Sequence, residues 1–187
     1  MSDRGAEDIA GISLLADLGE SEQKAFAQQC RWRYYGAGEQ IIDRQDETTD
    51  IYFVVSGLGR IVNYSLSGRE VTFDDLTAGS HFGELSALDG QPRSASVMSL
   101  ESSLIAALPQ DRFNKLLQSN PEISFRVLRA LAGIIRNSTD RIMDLSTLAA
   151  NNRVQADLMR QARHGWIGAT KAESRPIPGH GDITSRV

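Results

Sequence analysis

The sequence predicts an α+β fold in which a sandwich or barrel of short antiparallel strands is followed by one long helix. Two observations carry that reading. Between Arg31 and Leu108, short runs rich in β-branched and aromatic residues alternate with glycine-containing turns, the texture of a closed or two-layered β structure. Beyond Pro109 the texture changes, and from Pro121 to about Ala162 a stretch with helical apolar periodicity continues without a further proline.

Taken in order, residues 12–30, ISLLADLGESEQKAFAQQC, read as an apolar lead-in and a short helix. Ser21 is placed to cap its N-terminus, and Leu18, Phe26 and Cys30 give it one partly apolar face. The strand candidates follow as RWRYY, QII, IYFVVS, GRIVNYS, REVTFDDL, SASVMS and SLIAAL. Turns are signalled by Gly36-Ala37-Gly38, Ser56-Gly57, Ser67-Gly68, Ala78-Gly79 and Asp89-Gly90. PQDRFNKLLQSN reads as a brief helix, and Pro121 suits the first position of the next one. Along that long helix Leu131, Ile135, Ser138, Ile142, Leu145 and Ala149 recur at alternating spacings of four and three, a coiled-coil seam with one polar member. Two occupants of the seam stay open: the β-domain itself, or a second copy of the helix. About forty residues at ~1.5 Å each make ~60 Å, more than a small β-domain covers, which favours the second copy. The tail HGWIGATKAESRPIPGHGDITSRV opens as a flexible Gly-rich stretch with a Pro-x-Pro and ends on a short helix that Asp182 would cap.

Composition bounds the function. The 187 residues, 41% hydrophobic and 24% charged, describe a soluble globular chain with one substantial core. No run of 18 apolar residues and no basic-then-apolar leader occurs, so neither a membrane span nor export is expected, and a cytoplasmic location follows. The single cysteine, Cys30, excludes an internal disulfide framework, and the three histidines, His81, His164 and His180, show no metal-ligand spacing. Net charge is −4; residues 151–187 carry six Lys/Arg against three acids, a balance of +3, leaving −7 to residues 1–150. A mildly basic tail permits a nucleic-acid partner and equally suits a solvated face. No Ser/His/Asp or Cys/His constellation is present, so no enzyme activity and no cofactor are expected. A cupin-type metalloenzyme is disfavoured by the single histidine of the β-region.

One stretch carries chemistry: HFGELSALDGQPRSASV, residues 81–97. Glycines at strand-to-turn positions let backbone N–H groups approach a ligand, and consecutive N–H groups in a tight turn form an anion-binding concavity. Gly83, Leu85 and Ser86 can supply such donors. Arg93 adds a planar, permanently charged fork suited to phosphate oxygens, and Ser94 and Ala95 leave room beside it. Glu84 is an acceptor, and its natural target is a hydroxyl such as a ribose 2′-OH. A phosphate and a ribose describe a nucleotide; a buried Glu84–Arg93 ion pair is the competing reading of the same spacing.

These residues resemble the phosphate-binding cassette of cyclic-nucleotide-binding domains, in which Phe-Gly-Glu-Leu is followed, at the spacing seen here, by Arg-(Ser/Ala/Thr)-Ala. The similarity extends to IYFVVSGLGRIV and GREVTFDDLTAGSHFGEL before it and to LPQDRFNKLLQSNPEISFRVLRAL after it, covering roughly residues 12–160. Among the family's branches, the bacterial cyclic-AMP receptor protein and FNR-type transcription regulators are the most similar. The resemblance implies an antiparallel β-roll of jelly-roll type over residues 1–119, a long dimerisation helix over 120–150, and the incomplete start of a winged helix-turn-helix over 151–187. It also implies roles. Arg93, with Ser94 and the backbone of Ser86 and Ala95, would hold the cyclic phosphate; Gly83 and Glu84 would hold the ribose; Ile61 and Phe73 would wall the purine. Ser138 and Thr139 match the hydroxyl pair with which the family's dimer helices contact the purine, one of them from the partner subunit. Ser138 is also the polar member of the seam found above.

Two departures stand out. Many relatives have Gly-Asp before the third strand, whereas this chain reads RQDETTDIYF, so that loop is expected to be built differently without affecting a ligand contact. At the C-terminus, NNRVQADLMRQAR and GHGDITSRV are similar to the first helix and the scaffold helix of the DNA-binding domain, but no recognition helix follows Val187. The expectation is a fragment of a longer homodimeric regulator or a natural truncation that senses only. Cyclic AMP is the implied ligand, with cyclic GMP as the other candidate. The alternative function is a stand-alone cyclic-nucleotide-binding module that acts on a protein partner without binding DNA.

Overall fold

The structure is a computed structural model that describes residues 9–162, 166–167, 171–172 and 180–186. It divides into two units, Met1–Asn63 with Phe73–Arg129, and Tyr64–Thr72 with Ala130–Val187.

In the first unit a 3-10 turn, Ser13–Leu15, leads to helix α1, Glu20–Gln29. The expected cap at Ser21 is displaced: the helix starts two residues earlier, with Gly19 as its cap, and the Gly19 N–H donates to Glu22 Oε2 at 2.9 Å. A carboxylate three residues into the helix reaches back more effectively than a serine already inside the first turn. The apolar face is as read from the sequence, with Leu18, Phe26 and Cys30 buried. Burial pushes the Cys30 thiol up to about 12, away from thiolate chemistry.

Eight strands follow: β1 Arg31–Tyr35, β2 Gln40–Ile42, β3 Ile51–Ser56, β4 Leu58–Tyr64, β5 Glu70–Thr77, β6 His81–Phe82, β7 Ser96–Ser99 and β8 Ser103–Leu108. Seven answer to the runs read from the sequence; β6 is too short to have a pattern of its own. They form two four-stranded sheets ordered β1-β8-β3-β6 and β2-β7-β4-β5, with antiparallel registers such as Trp32↔Ala106 and Ile61↔Val97. Side chains alternate across each strand, and the inward set from both sheets gives one core containing Tyr35, Ile42, Tyr52, Val54, Leu76, Phe82, Val97 and Ile105. Phe26 of α1 packs edge-on against Phe53 of β3, with ring centroids 5.4 Å apart.

The turn between β3 and β4 requires glycine. Gly57 has φ +94°, and a Cβ there would lie 2.2 Å from Ser103 Oγ and 2.6 Å from Ser103 Cα. Between β6 and β7 the chain forms helix α2, Glu84–Asp89, bounded by Gly83 and Gly90, both left-handed. Helix α3, Gln110–Ser119, and helix α4, Pro121–Thr147, follow, the latter opening on the expected proline.

The second unit corrects the single long helix. α4 stops at Thr147 after 27 residues, about 40 Å at the usual rise, and a separate helix α5, Ala150–Ala162, begins after Leu148 and Ala149. Neither glycine nor proline marks this break. Ser146 and Thr147 donate their hydroxyls back to Ile142 and Met143 carbonyls at 2.8 and 2.7 Å, bonds that bend a helix. Arg153 Nη1 then donates to the Leu148 carbonyl at 3.1 Å. Strand β9, Trp166–Ile167, pairs antiparallel with β10, Lys171–Ala172, so part of the stretch read as a flexible Gly-rich tail is ordered; the Pro-x-Pro lies outside the described residues. The last helix, α6, spans His180–Arg186. Asp182 therefore sits in its first turn instead of capping it, because the helix begins at His180, three residues earlier than a cap at Asp182 implies.

Within this unit α6 is fastened to residues 64–72. Arg69 Nη2 donates to the Thr184 carbonyl at 2.6 Å, and the Thr72 and Ser185 hydroxyls lie 2.8 Å apart. Arg141 Nη2 donates to the carbonyls of Thr72 and Arg186 at 2.9 and 3.0 Å. Among the described residues no helix is long and apolar enough to cross a membrane.

Because both the left-handed backbone and the Ser103 contact oppose any side chain at the β3–β4 turn, Gly57→Ala is expected to destabilise the fold by at least ~2 kcal/mol. Urea unfolding followed by circular dichroism measures the loss.

Candidate ligand-binding site

The cassette residues are brought together by the α2 turn and the strand that follows it. Gly83 must be glycine on two counts: its φ is +81°, and a Cβ would approach Arg93 Nη1 to 2.7 Å and the Asp50 carbonyl to 3.1 Å. The first α2 amide to find a backbone acceptor is that of Ala87, on the Gly83 carbonyl at 3.2 Å. The amides of Glu84, Leu85 and Ser86 precede it, the ordinary donor surplus at a helix start. Ser86 is buried, whereas the Leu85 side chain is exposed.

Arg93 is buried, with 3% of its surface exposed. Its Nε donates to Thr48 Oγ1 at 3.1 Å, Nη1 to the Gly83 carbonyl at 3.0 Å and Nη2 to the Asp50 carbonyl at 2.7 Å. The guanidinium carbon lies 5.4 Å from the centre of the Tyr52 ring, itself stacked on Phe82 at 5.1 Å. The arginine backbone is held to the same loop, with the Arg93 N–H on the Asp46 carbonyl and the Gln45 N–H on the Arg93 carbonyl, 2.9 and 3.0 Å. Gln45 adopts φ +72° to make this possible.

These acceptors, and the Tyr52 hydroxyl that also bonds the guanidinium, are neutral, so the competing reading of a Glu84–Arg93 ion pair is not what the fold builds. Burial lowers the guanidinium pKa from its usual value, with Tyr52, Asp50 and Asp46 acting against the shift. Glu84, also buried, has its pKa raised by desolvation, opposed by its own backbone N–H and by the charge of Arg93. Two buried groups of opposite charge thus stand near one another without an ion pair.

Beside them, Ser94 is exposed and Ala95 half-buried. The Ser94 carbonyl accepts from Asn63 Nδ2 at 3.2 Å. Ile61 on β4 packs against the core cluster, and Phe73 on β5 is 46% exposed. Ser138 and Thr139 lie on α4 within the second unit, both exposed, with the Thr139 hydroxyl returned to the Ile135 carbonyl at 3.0 Å. Sequence reasoning missed Thr48, Asp50 and Tyr52. The signal is present in RQDETTDIYF, where a polar loop runs into an apolar strand, but nothing local in it points to Arg93.

With this geometry in place, comparison with known proteins gives the family. The cyclic nucleotide-binding domain model matches residues 32–120. The cyclic AMP receptor protein of Thermus thermophilus is 32% identical over 157 residues, which cover 84% of this chain and 73% of the relative. The crystal structure of the Thermus thermophilus catabolite activator protein superposes with a TM-score of 0.65 at 30% identity, covering 82% of this chain and 72% of that one. The cAMP-activated global transcriptional regulator of Haemophilus influenzae is 29% identical over 139 residues; they cover 74% of this chain, which spans only 62% of that relative's length. The chain belongs to the cyclic AMP receptor protein family of cyclic-nucleotide-binding regulators, whose β-roll and following long helix it shares.

The raised pKa of Glu84 has a consequence for stability. Its ordinary value is 4.5, and the folded protein holds its proton more tightly than the unfolded chain, so stability falls as pH rises from 4.5 through the folded value. Glu84→Gln is therefore expected to raise Tm near pH 7, with the gain shrinking toward pH 4; thermal melts at both values read it.

Proposed function

We propose that this protein binds a cyclic nucleotide, cyclic AMP in the first instance, and as a homodimer passes its occupancy to a transcription-regulating output. The observation that carries the reading is Arg93, a buried cation whose side-chain partners are the hydroxyls of Thr48 and Tyr52 and two backbone carbonyls, none of them charged. Burying a charge without a counterion is costly, and an anion arriving at the terminal nitrogens removes that cost. The amides of Leu85 and Ser86 add donors on the α2 side, while Glu84 supplies an acceptor for a sugar hydroxyl.

In this reading Arg93, Ser94 and the backbone of Ser86 and Ala95 hold the cyclic phosphate, Gly83 and Glu84 the ribose, and Ile61 and Phe73 flank the purine. Ser138 and Thr139 close the site from the dimer helix. The seam on α4 supports dimerisation: Ile135, Ile142 and Leu145 are 66%, 62% and 60% exposed in the single chain. In this reading helices α5 and α6 with the β9–β10 pair would form the start of a DNA-binding domain. The role is regulatory and not enzymatic, carried out in the cytoplasm, and it requires no cofactor. A second reading, a sensing module that acts on a protein partner, is favoured by the −7 balance of residues 1–150, which suits an acidic phosphate backbone poorly.

Titration calorimetry with cyclic AMP and cyclic GMP tests the ligand. Arg93→Ala is expected to lose roughly 100-fold or more in affinity, since charge-assisted bonds to phosphate vanish together; equal binding by the variant and the wild type ends the reading. Dimerisation is tested by sedimentation at tens of micromolar. Two subunits are expected for the wild type and one for Ile135→Glu/Ile142→Glu.

A further inference from the structure

We infer that Thr48 is a positioning residue for Arg93, fixing the plane of the guanidinium so that its two terminal nitrogens, and not Nε, face the ligand phosphate. The inference rests on the cyclic-nucleotide reading and adds to it a residue outside the cassette. Nε carries one N–H, and Thr48 Oγ1 takes it at 3.1 Å. Each terminal nitrogen carries two N–H groups, and the backbone carbonyls of Gly83 and Asp50 occupy one on each. A ligand can thus be bound through the second donors, or by exchange with the carbonyls, while the Nε bond stays in place. Rotation about the Cδ–Nε bond is what that bond resists, and the Tyr52 ring 5.4 Å away limits the same motion from one side.

The placement is not a by-product of core packing. Thr48 is exposed and lies 45 residues before Arg93, so no local geometry forces the two together. What brings them together is the 45–50 loop, which also takes the Arg93 backbone through Gln45 and Asp46. Asp50 is anchored in turn by its carboxylate on Arg31 of β1. The loop therefore grips the arginine at its main chain, its Nε and its Nη2.

The test uses the full chain as wild type, Thr48→Ser and Thr48→Val, with two readouts. In ligand-free, nitrogen-15-labelled protein, exchange of the Arg93 Nε–H with water is expected to quicken roughly tenfold in Thr48→Val and to stay close to wild type in Thr48→Ser. In calorimetry with cyclic AMP, Thr48→Val is expected to bind roughly tenfold more weakly and Thr48→Ser within about twofold of wild type, with the three Tm values within about a degree. Unchanged exchange and affinity in Thr48→Val overturn the inference, as does a loss of affinity that only follows a loss of Tm. If the wild type binds neither cyclic nucleotide, the nucleotide reading falls by itself, and the Nε–H exchange alone then upholds or overturns the positioning role.

Discussion

The site is organised around one electrostatic constraint: a guanidinium buried without a carboxylate on it. Desolvating a cation costs several kcal/mol unless the lost water is replaced, and here neutral oxygens replace it. Two segments supply them: the Gly83 turn, and the 45–50 loop through Thr48 and Asp50. Each oxygen fixes something else in turn. The Gly83 carbonyl is available because a left-handed glycine turns the chain into α2. The Asp50 carbonyl is at the mouth of β3, and the loop reaches the Arg93 main chain only because Gln45 accepts a backbone conformation that non-glycine residues rarely adopt. Strain of this kind persists where surrounding contacts over-determine it, and four hydrogen bonds from loop to arginine do so.

Glu84 shows the same logic with the opposite sign. Paired directly, Glu84 and Arg93 would satisfy one another, and a ligand would have to break an ion pair to enter. Kept apart, each stays raised in energy by burial, and each retains capacity for a partner from outside. The fold gives up some stability at neutral pH to keep them apart, in contrast to the structural ion pair formed by Arg60 and Asp75, bidentate at 2.7 and 3.2 Å.

How much of this was legible in the sequence depends on the range of the interaction. The strands and turns were legible because side-chain alternation and positive-φ glycines are local properties: Gly57, Gly68, Gly79 and Gly90 all carry the conformation that their turns demanded. The cassette was legible because its residues are close in sequence and chemically distinctive. Thr48 was not, since nothing local marks a threonine as the acceptor for an arginine 45 positions on. The break after Thr147 was hidden for a different reason. Periodicity continues through Leu145 and Ala149, and no proline or glycine marks the place where α4 ends.

That break bears on how a ligand signal would travel. A rigid forty-residue rod would carry any rotation at the seam straight to its far end. With α4 ending at Thr147, the two helices meet at Leu148 and Ala149, where the Arg153 bond to the Leu148 carbonyl supplies the side-chain contact. Downstream of the joint, α6 is tied by Arg69, Thr72 and Arg141 to residues 64–72. Arg141 belongs to α4 itself, less than one helical turn from Ser138 and Thr139, so the helix that carries this pair also helps to fasten the last helix. In the proposed reading, occupancy at Ser138 and Thr139 needs no long route to reach α6. In that reading a small rotation of α4 about its own axis would act directly on the two carbonyls that Arg141 holds.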